Sequence, residues 1–377
     1  MKKIVVIGSG AVGGFYGGLL ASTGNQVTFL LRSDYDYCMR YGLEILSPWG
    51  DIKLISTEQF VSDINNRTTY PVDFVQDPKL LPRNIDLIII CIKSTDNSSL
   101  GDLLINYLSK KTTLDPETSS DNQSKTKNSN SSVIEPAVLL IQNGIGTEEL
   151  IYKILPNSRI FAGLAFLCSV RKSQAVIQHI DYGDLTIAEY KPANSMATHN
   201  SIDKKNISSV KTNQPHKRNV DSGMDLDTLE SMLVKAKIPV TCESNLTLAR
   251  LKKLIWNVPF NGLSVVYNSQ TDDMMNDPKI LDLVKKLMSE VQLIAKAMNL
   301  EITDSFIADR LERTRKMKPY PTSMKLDFEN RRPMEIDAIY GKLIEYGFFY
   351  NLEIPNITKL YENLCKLESK SVSNQAN

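Results

Sequence analysis

The stretch MKKIVVIGSGAVGG, residues 1–14, runs from the apolar Ile4 to Ile7 straight into a cluster of glycines. An uninterrupted apolar run that ends in glycine predicts a strand covered on both faces, and the residues from Ala11 to Thr23 predict a helix. Gln26 to Leu31 reads as a second strand, so the chain opens with one β-α-β unit. Within GSGAVG, Gly8 suits a tight turn, Gly10 leaves room for a pyrophosphate against the backbone, and Gly13 lets helix and strand pack closely. The helix N-terminus then faces the phosphate charge. A glycine-rich turn is common by chance. Its place between a strand and a helix is what points to a dinucleotide held by Gly8, Ser9, Gly10, Ala11, Val12 and Gly13.

The second strand ends in FLLRSD (29–34), where the two nicotinamide dinucleotides make opposite demands. An acid here holds the ribose hydroxyls of NAD, whereas a cation receives the extra phosphate of NADP. Arg32 stands at the strand end with Ser33 beside it, which favours NADP(H). Asp34, two residues on, leaves an NAD-type acid open. The runs LIIICI (87–92) and VLLIQN (138–143) are further candidates for parallel strands, and Lys93 and Asn143 fall at their carboxyl ends. That edge is where an open α/β sheet binds its ligand. These features predict a doubly wound α/β domain of Rossmann type.

At 377 residues the chain exceeds one ordinary domain, and its 44 Lys plus Arg against 43 Asp plus Glu give no general attraction to nucleic acid or anionic membrane. A small-molecule partner is the default, and a homodimer is left open. The five cysteines include no CxxC pair and suggest neither disulfides nor a metal site, so a reducing, cytoplasmic location is expected. No segment has the length of a membrane span, and too few apolar residues precede Gly8 for a signal peptide.

Two polar stretches, 113–132 and 194–223, cannot build a core. The first reads as an insertion in the α/β domain. The second follows the strand-like pair VIQHI and LTIAEY and marks a boundary, with His199 and His216 inside it. The expected organisation is a cofactor-binding domain over 1–191, a linker over 192–223 and a helical domain over 224–370. Helical periodicity is strongest at 246–268, 277–299, 303–317, 334–347 and 356–370, which makes the second domain all-α.

RLKKLIWNVPFNGL (250–263) carries the chemistry of that domain. On a wheel of about 100° per residue, Arg250, Lys253, Asn257, Asn261 and Ser264 fall in one narrow strip. Almost everything else around the helix is apolar, the reverse of an ordinary surface helix. A solvated face is the bland explanation. Against it, Asn gains nothing on a helical surface, and Pro259 inside the helix removes a donor at a cost of about 3 kcal/mol. The strip therefore predicts a mostly buried helix that shows Lys and two Asn to a cleft. Reduction of a carbonyl by a nicotinamide needs a group that stabilises charge on oxygen and supplies a proton. Lys253 suits that task. His179, the one histidine outside the linker, reads as structural.

GSGAVGG, IKS, QNGIGT and KLIWNVPFN together make the chain resemble the ketopantoate reductase (2-dehydropantoate 2-reductase) family from residue 1 to about 370. The family pattern KxxxNxxxN falls on Lys253, Asn257 and Asn261, and its later Ser and Glu fall on Ser323 and Glu335. The resemblance implies NADPH-dependent reduction of ketopantoate to pantoate in pantothenate synthesis, by a Rossmann domain and a helical domain with the site between them. It gives Arg32 the 2′-phosphate, Lys93 and Asn143 other parts of the cofactor, and Lys253 the part of general acid. Asn257, Asn261 and Ser323 would hold the substrate, and Glu335 would contact the nicotinamide ribose or orient the lysine.

Taken alone, Ser323 reads as a cap for the turn at Met324, and Glu335 as an acid favoured near a helix start. The chain departs from the family at Leu251, where Trp is frequent, and at Thr271, where a further substrate Asn is expected. Those departures bear on substrate more than on reaction. Two alternatives remain: a reductase of another branched 2-oxo acid, and a non-enzymatic NADP(H) sensor whose second domain transmits closure.

Overall fold

A computed structural model of the chain describes residues 1–60, 68–104, 135–192 and 223–373. The stretch 113–132 and nearly all of 194–223, with His199 and His216, lie outside the described residues.

Strand β1 (Lys3–Ile7) pairs in parallel with β2 (Gln26–Leu30) on one side and β6 (Leu87–Ile90) on the other. Ile7 lies level with Leu30 and with Ile90, and β7 (Ala137–Leu140) continues the register at Leu140. The glycine turn, Arg32, Lys93 and Asn143 therefore leave the sheet along one edge. Side chains alternate between two cores: Ile4, Val6, Leu87, Ile89 and Leu139 fill one face, and Val5, Ile7, Ile88, Ile90, Val138 and Leu140 the other. Burial on both faces is why these strands read as unbroken apolar runs.

The remaining strands are β3 (Leu43–Leu46), β4 (Ile52–Ser56), β5 (Thr69–Val75), β8 (Ile160–Ser173), β9 (Val176–Glu189) and β10 (Val240–Cys242). The order is β10-β9-β3-β4-β5-β2-β1-β6-β7-β8, and β8 also pairs with β9, so the strand order returns on itself. The sheet is mixed, because β3–β4 and β8–β9 are antiparallel. VIQHI and LTIAEY, expected as two strands, are the two ends of the single strand β9. Its pairing with β8 shifts register between Phe166 and Leu167, opposite Asp184 and Tyr182, where Tyr182 and Gly183 both have positive φ (58° and 129°). The polar interruption is thus an irregularity within one strand.

A second difference concerns residues 224–242, expected in the helical part. The helix Leu226–Lys235 buries Leu229, Met232 and Leu233 in the core of the α/β part, and β10 pairs with β9. Amphipathic periodicity shows that a face is buried, not which lobe buries it.

From Asn245 onward the described chain is helical. The helix Leu246–Val266 begins at Asn245, whose side chain accepts from the Leu248 amide, and lies at the centre of the second core. Leu251, Leu254, Ile255, Val258, Phe260 and Leu263 are fully buried in it. Pro259 does not end this helix, and the neighbouring Val258 carbonyl accepts a bond from the buried Tyr340 hydroxyl at 2.9 Å. Around it lie Pro278–Ala297, Asp304–Lys316, Lys342–Phe349 and Pro355–Ser373. The short helices Thr271–Asn276 and Ser323–Glu329 and a π-helical turn, Asp337–Gly341, lie outside the expected segments or subdivide them.

Candidate active site

A cavity of about 670 Å³ runs along the carboxyl edge of β1, β2 and β6 and under the Leu246–Val266 helix. At one end it is lined by Gly8 to Val12, Arg32 and Asp34, and at the other by Lys253, Asn257, Asn261 and Ser323.

The glycine turn is shaped by contact. Gly8 has φ +95°, and a Cβ there would sit 2.7 Å from the Ile92 amide nitrogen. A Cβ on Gly13 would overlap the Gly8 carbonyl oxygen at 1.9 Å, so helix and turn touch backbone to backbone. Gly10, the N-cap of the helix Ala11–Ala21, meets nothing within 4 Å and faces the cavity. Two glycines are needed for packing and the third keeps a space clear before a helix N-terminus, an arrangement that fits a pyrophosphate.

At the end of β2, Arg32 is 80% exposed and pairs with Asp96 at 3.0 Å. The nearby acid is already engaged: Asp34 is buried and bound to Arg171 of β8. Lys93 forms an ion pair with the buried Asp327 of the helix Ser323–Glu329, and Arg332 bonds the other oxygen of that carboxylate at 3.1 Å. Burial raises the Asp327 pKa, and Lys93 and Arg332 oppose it.

The polar strip on the Leu246–Val266 helix is not solvated. Arg250, Asn257 and Asn261 are 3%, 2% and 2% exposed, and Ser264 is fully buried. Arg250 donates to Glu148 and to the Gln142 carbonyl, Lys253 to the Ala165 carbonyl of β8, and Asn257 to Asn143 at 3.1 Å. Each of these partners belongs to the α/β part, so the strip is the joint between the two cores. Beyond it, Ser264 bonds Thr322 at 2.7 Å. Thr322 caps the Ser323–Glu329 helix by accepting from Lys325, so the cap expected of Ser323 belongs to its neighbour. Ser323 is exposed on the cavity wall.

Glu335 ties these groups together. One carboxylate oxygen accepts from the Ser94 amide at 3.0 Å and its hydroxyl at 2.8 Å, and the other accepts from Asn143 at 3.0 Å. Asn143 therefore gives its amide to Glu335 while its carbonyl takes Asn257. Glu335 makes no hydrogen bond to Lys253 among the described residues, so it reaches the helix of the lysine only through the two asparagines.

The Lys253 amine is half-buried, 5.5 Å from the Phe166 ring centre and 6.0 Å from that of Trp256. Burial pulls its pKa down to about 8, with Arg310 and Arg250 adding to the effect and Asp184 and Cys168 opposing it. A cation of that acidity near neutrality is matched to proton transfer. The cavity's two cysteines are not so matched: burial raises both thiols, Cys168 to about 12. His179 is a core residue, fully buried, with Ser47 on one ring nitrogen and the Tyr182 carbonyl on the other, and burial lowers its pKa.

The structure thus lines one cavity with Gly8 to Val12, Arg32, Lys93, Asn143, Lys253, Asn257, Asn261, Ser323 and Glu335, with Gly13 packed behind the turn. Asp327, Arg332 and Asp184 escaped the sequence reading, for nothing in their spacing marks them, and Ser94 stands within IKS, where no role was read for it. Their importance comes only from the residues across the joint.

Two family models match, "Ketopantoate reductase PanE/ApbA" over residues 4–192 and "Ketopantoate reductase PanE/ApbA C terminal" over 245–368. A 2-dehydropantoate 2-reductase from Nostoc sp. is 34% identical over 99% of this chain and 98% of its own length. The crystal structure of 2-dehydropantoate 2-reductase from Geobacter metallireducens superposes with a TM-score of 0.74 at 27% identity, covering 97% of this chain and 99% of that one. D-mandelate dehydrogenase, in a structure holding NADH and anilino(oxo)acetate, shares the fold at 18% identity with a TM-score of 0.71, over 98% of this chain and 99% of that one. The family matches span both the glycine turn and the Lys-Asn-Asn strip, and the chain belongs to the ketopantoate reductase family.

Proposed function

We propose that the protein reduces ketopantoate (2-dehydropantoate) to pantoate with NADPH, a step of pantothenate and coenzyme A synthesis. The observation that carries this reading is one cavity with a phosphate-cradling glycine turn at one end and a buried Lys-Asn-Asn strip at the other. A nicotinamide held there would supply a hydride for the ketone carbon. Asn257 and Asn261, buried on the helix, hold the polar groups of the oxo acid, and Ser323 meets it from the cavity wall. Lys253 leaves the Ala165 carbonyl, stabilises the charge forming on the ketone oxygen and gives that oxygen a proton. Asn143 and Glu335, tied to each other and to Ser94, would hold the ribose of the cofactor. Five free cysteines support a reducing, cytoplasmic location, and among the described residues no helix is long and apolar enough to cross a membrane.

The test is NADPH oxidation by the full chain with ketopantoate and a panel of 2-oxo acids. Turnover with ketopantoate well above the others supports the reading. A better branched or aromatic oxo acid would keep the reaction and replace the substrate, and no turnover with cofactor binding intact would favour a sensor.

The pKa of Lys253 sets a pH limb. As the donor it acts while protonated, and with a value of about 8 the cation is lost as pH rises past that point. Plots of kcat/KM against pH should fall above about pH 8. A flat profile to pH 10 would count against Lys253 as the proton source.

The glycines separate binding from folding. Gly10→Val should leave the thermal midpoint near wild type while weakening NADPH at least ~10-fold, since its side chain stands in open cavity. Gly13→Val should lose the fold itself, because its Cβ overlaps backbone. Equal melting losses would contradict this division.

A further inference from the structure

The cofactor reading leaves one charged pair unexplained. Asp34 precedes the helix Tyr35–Tyr41 as its N-cap, yet its carboxylate makes no capping bond. It turns instead to Arg171, on β8, with one guanidinium nitrogen 2.5 Å from an aspartate oxygen. The Asp34 side chain is 10% exposed and that of Arg171 42%, and both line the cavity at the end where Arg32 and Gln76 also lie. The Arg171 Nε donates to the Ser173 carbonyl at 3.3 Å, which holds the guanidinium from a second side. Its remaining terminal nitrogen has no hydrogen-bond partner among the described residues.

Resting on the proposal that the cofactor is NADPH, we infer that Arg171 is a cofactor-selecting residue, which neutralises Asp34 and presents a second guanidinium to the 2′-phosphate. Asp34 is an acid placed where it would take the ribose hydroxyls of NADH. An acid left free there would also repel a phosphate dianion. Bound to Arg171, it does neither. Arg32 alone is a weak selector, because it is largely exposed and shared with Asp96. Arg171 is better fixed, and its one unpartnered guanidinium nitrogen is a charged donor suited to a phosphate oxygen. The fold by itself does not decide the matter, since D-mandelate dehydrogenase holds NADH in a similar one.

The experiment measures dissociation constants of NADPH and NADH for the full-length protein by nicotinamide fluorescence, in wild type, Arg171→Gln, Arg171→Lys and Asp34→Asn. Arg171→Gln removes a cation and uncovers an anion, so NADPH should weaken at least ~10-fold, the size of a lost charge-assisted hydrogen bond, while NADH holds or tightens. Arg171→Lys should keep most of the preference, and Asp34→Asn should keep or increase it. Parallel weakening of both cofactors in Arg171→Gln, or an unchanged ratio, would overturn the inference with the NADPH reading standing. Equal binding of both cofactors by wild type would overturn that reading, and the inference with it, before any variant is made.

Discussion

Lys253→Ala is expected to lower kcat for ketopantoate reduction by about 10²–10⁴-fold, the range for loss of a positioned proton donor. The amine lies where the two lobes meet, bonded to the Ala165 carbonyl and walled by Phe166 and Trp256, so no other side chain of the strip can take its place. Asn257 and Asn261 carry no proton to give at neutral pH. Arg250, the other cation on the strip, is spent on Glu148 and the Gln142 carbonyl. Because the cofactor end of the cavity is untouched, the affinity for NADPH should change little. A variant turning over at near wild-type rate would sink the proposed mechanism.

Lys253→Arg refines that expectation. It keeps a cation beside the ketone oxygen but one that does not give up its proton near neutrality. If Lys253 serves only by its charge, Arg should restore most of kcat. If it transfers the proton, Arg should restore KM more than kcat, and the alkaline limb near pH 8 should vanish. Asp184 opposes the fall in the Lys253 pKa and is itself held by Arg313 at 3.1 Å. Charge on the β9 strand thus bears on the acidity of a helix residue in the other lobe.

What the chain displayed in advance follows from how local each constraint is. Gly8, Gly10 and Gly13 were legible because their reasons lie within a few residues: a positive φ, an open face and a backbone contact. The strip from Arg250 to Ser264 was legible because a helix converts spacing into a shared face. Its destination was not. That Arg250 meets Glu148, Asn257 meets Asn143 and Lys93 meets Asp327 depends on how two cores are set against each other. Spacing within either carries no trace of that arrangement. The same limit hid the home of residues 224–242, whose apolar face suits either core. Strand β9 was read as two pieces because Asp181, Gly183 and Asp184 look like a turn, while twelve residue pairs with β8 carry the fourteen-residue strand through.

Arg250→Leu is expected to be the most destabilising single change in the joint, costing about 3–5 kcal/mol through the charge it strands. Glu148 is as buried as Arg250 and belongs to the helix Thr147–Ile154 of the α/β part. Its carboxylate takes two nitrogens of the guanidinium, and a third bonds the Gln142 carbonyl, one residue before Asn143. Removing the arginine leaves a carboxylate sealed from water and a carbonyl without its donor. Urea denaturation should show the loss directly, and Glu148→Gln should show a related one. Replacing both, Arg250→Leu with Glu148→Leu, removes the stranded charge, so most of the stability should return. Activity should not return with it. Gln142 and Asn143 share the β7 loop that Arg250 pins, and Asn143 is the link between Asn257 and Glu335. A double variant as active as wild type would mean that the ion pair holds the lobes together without setting the register of the site.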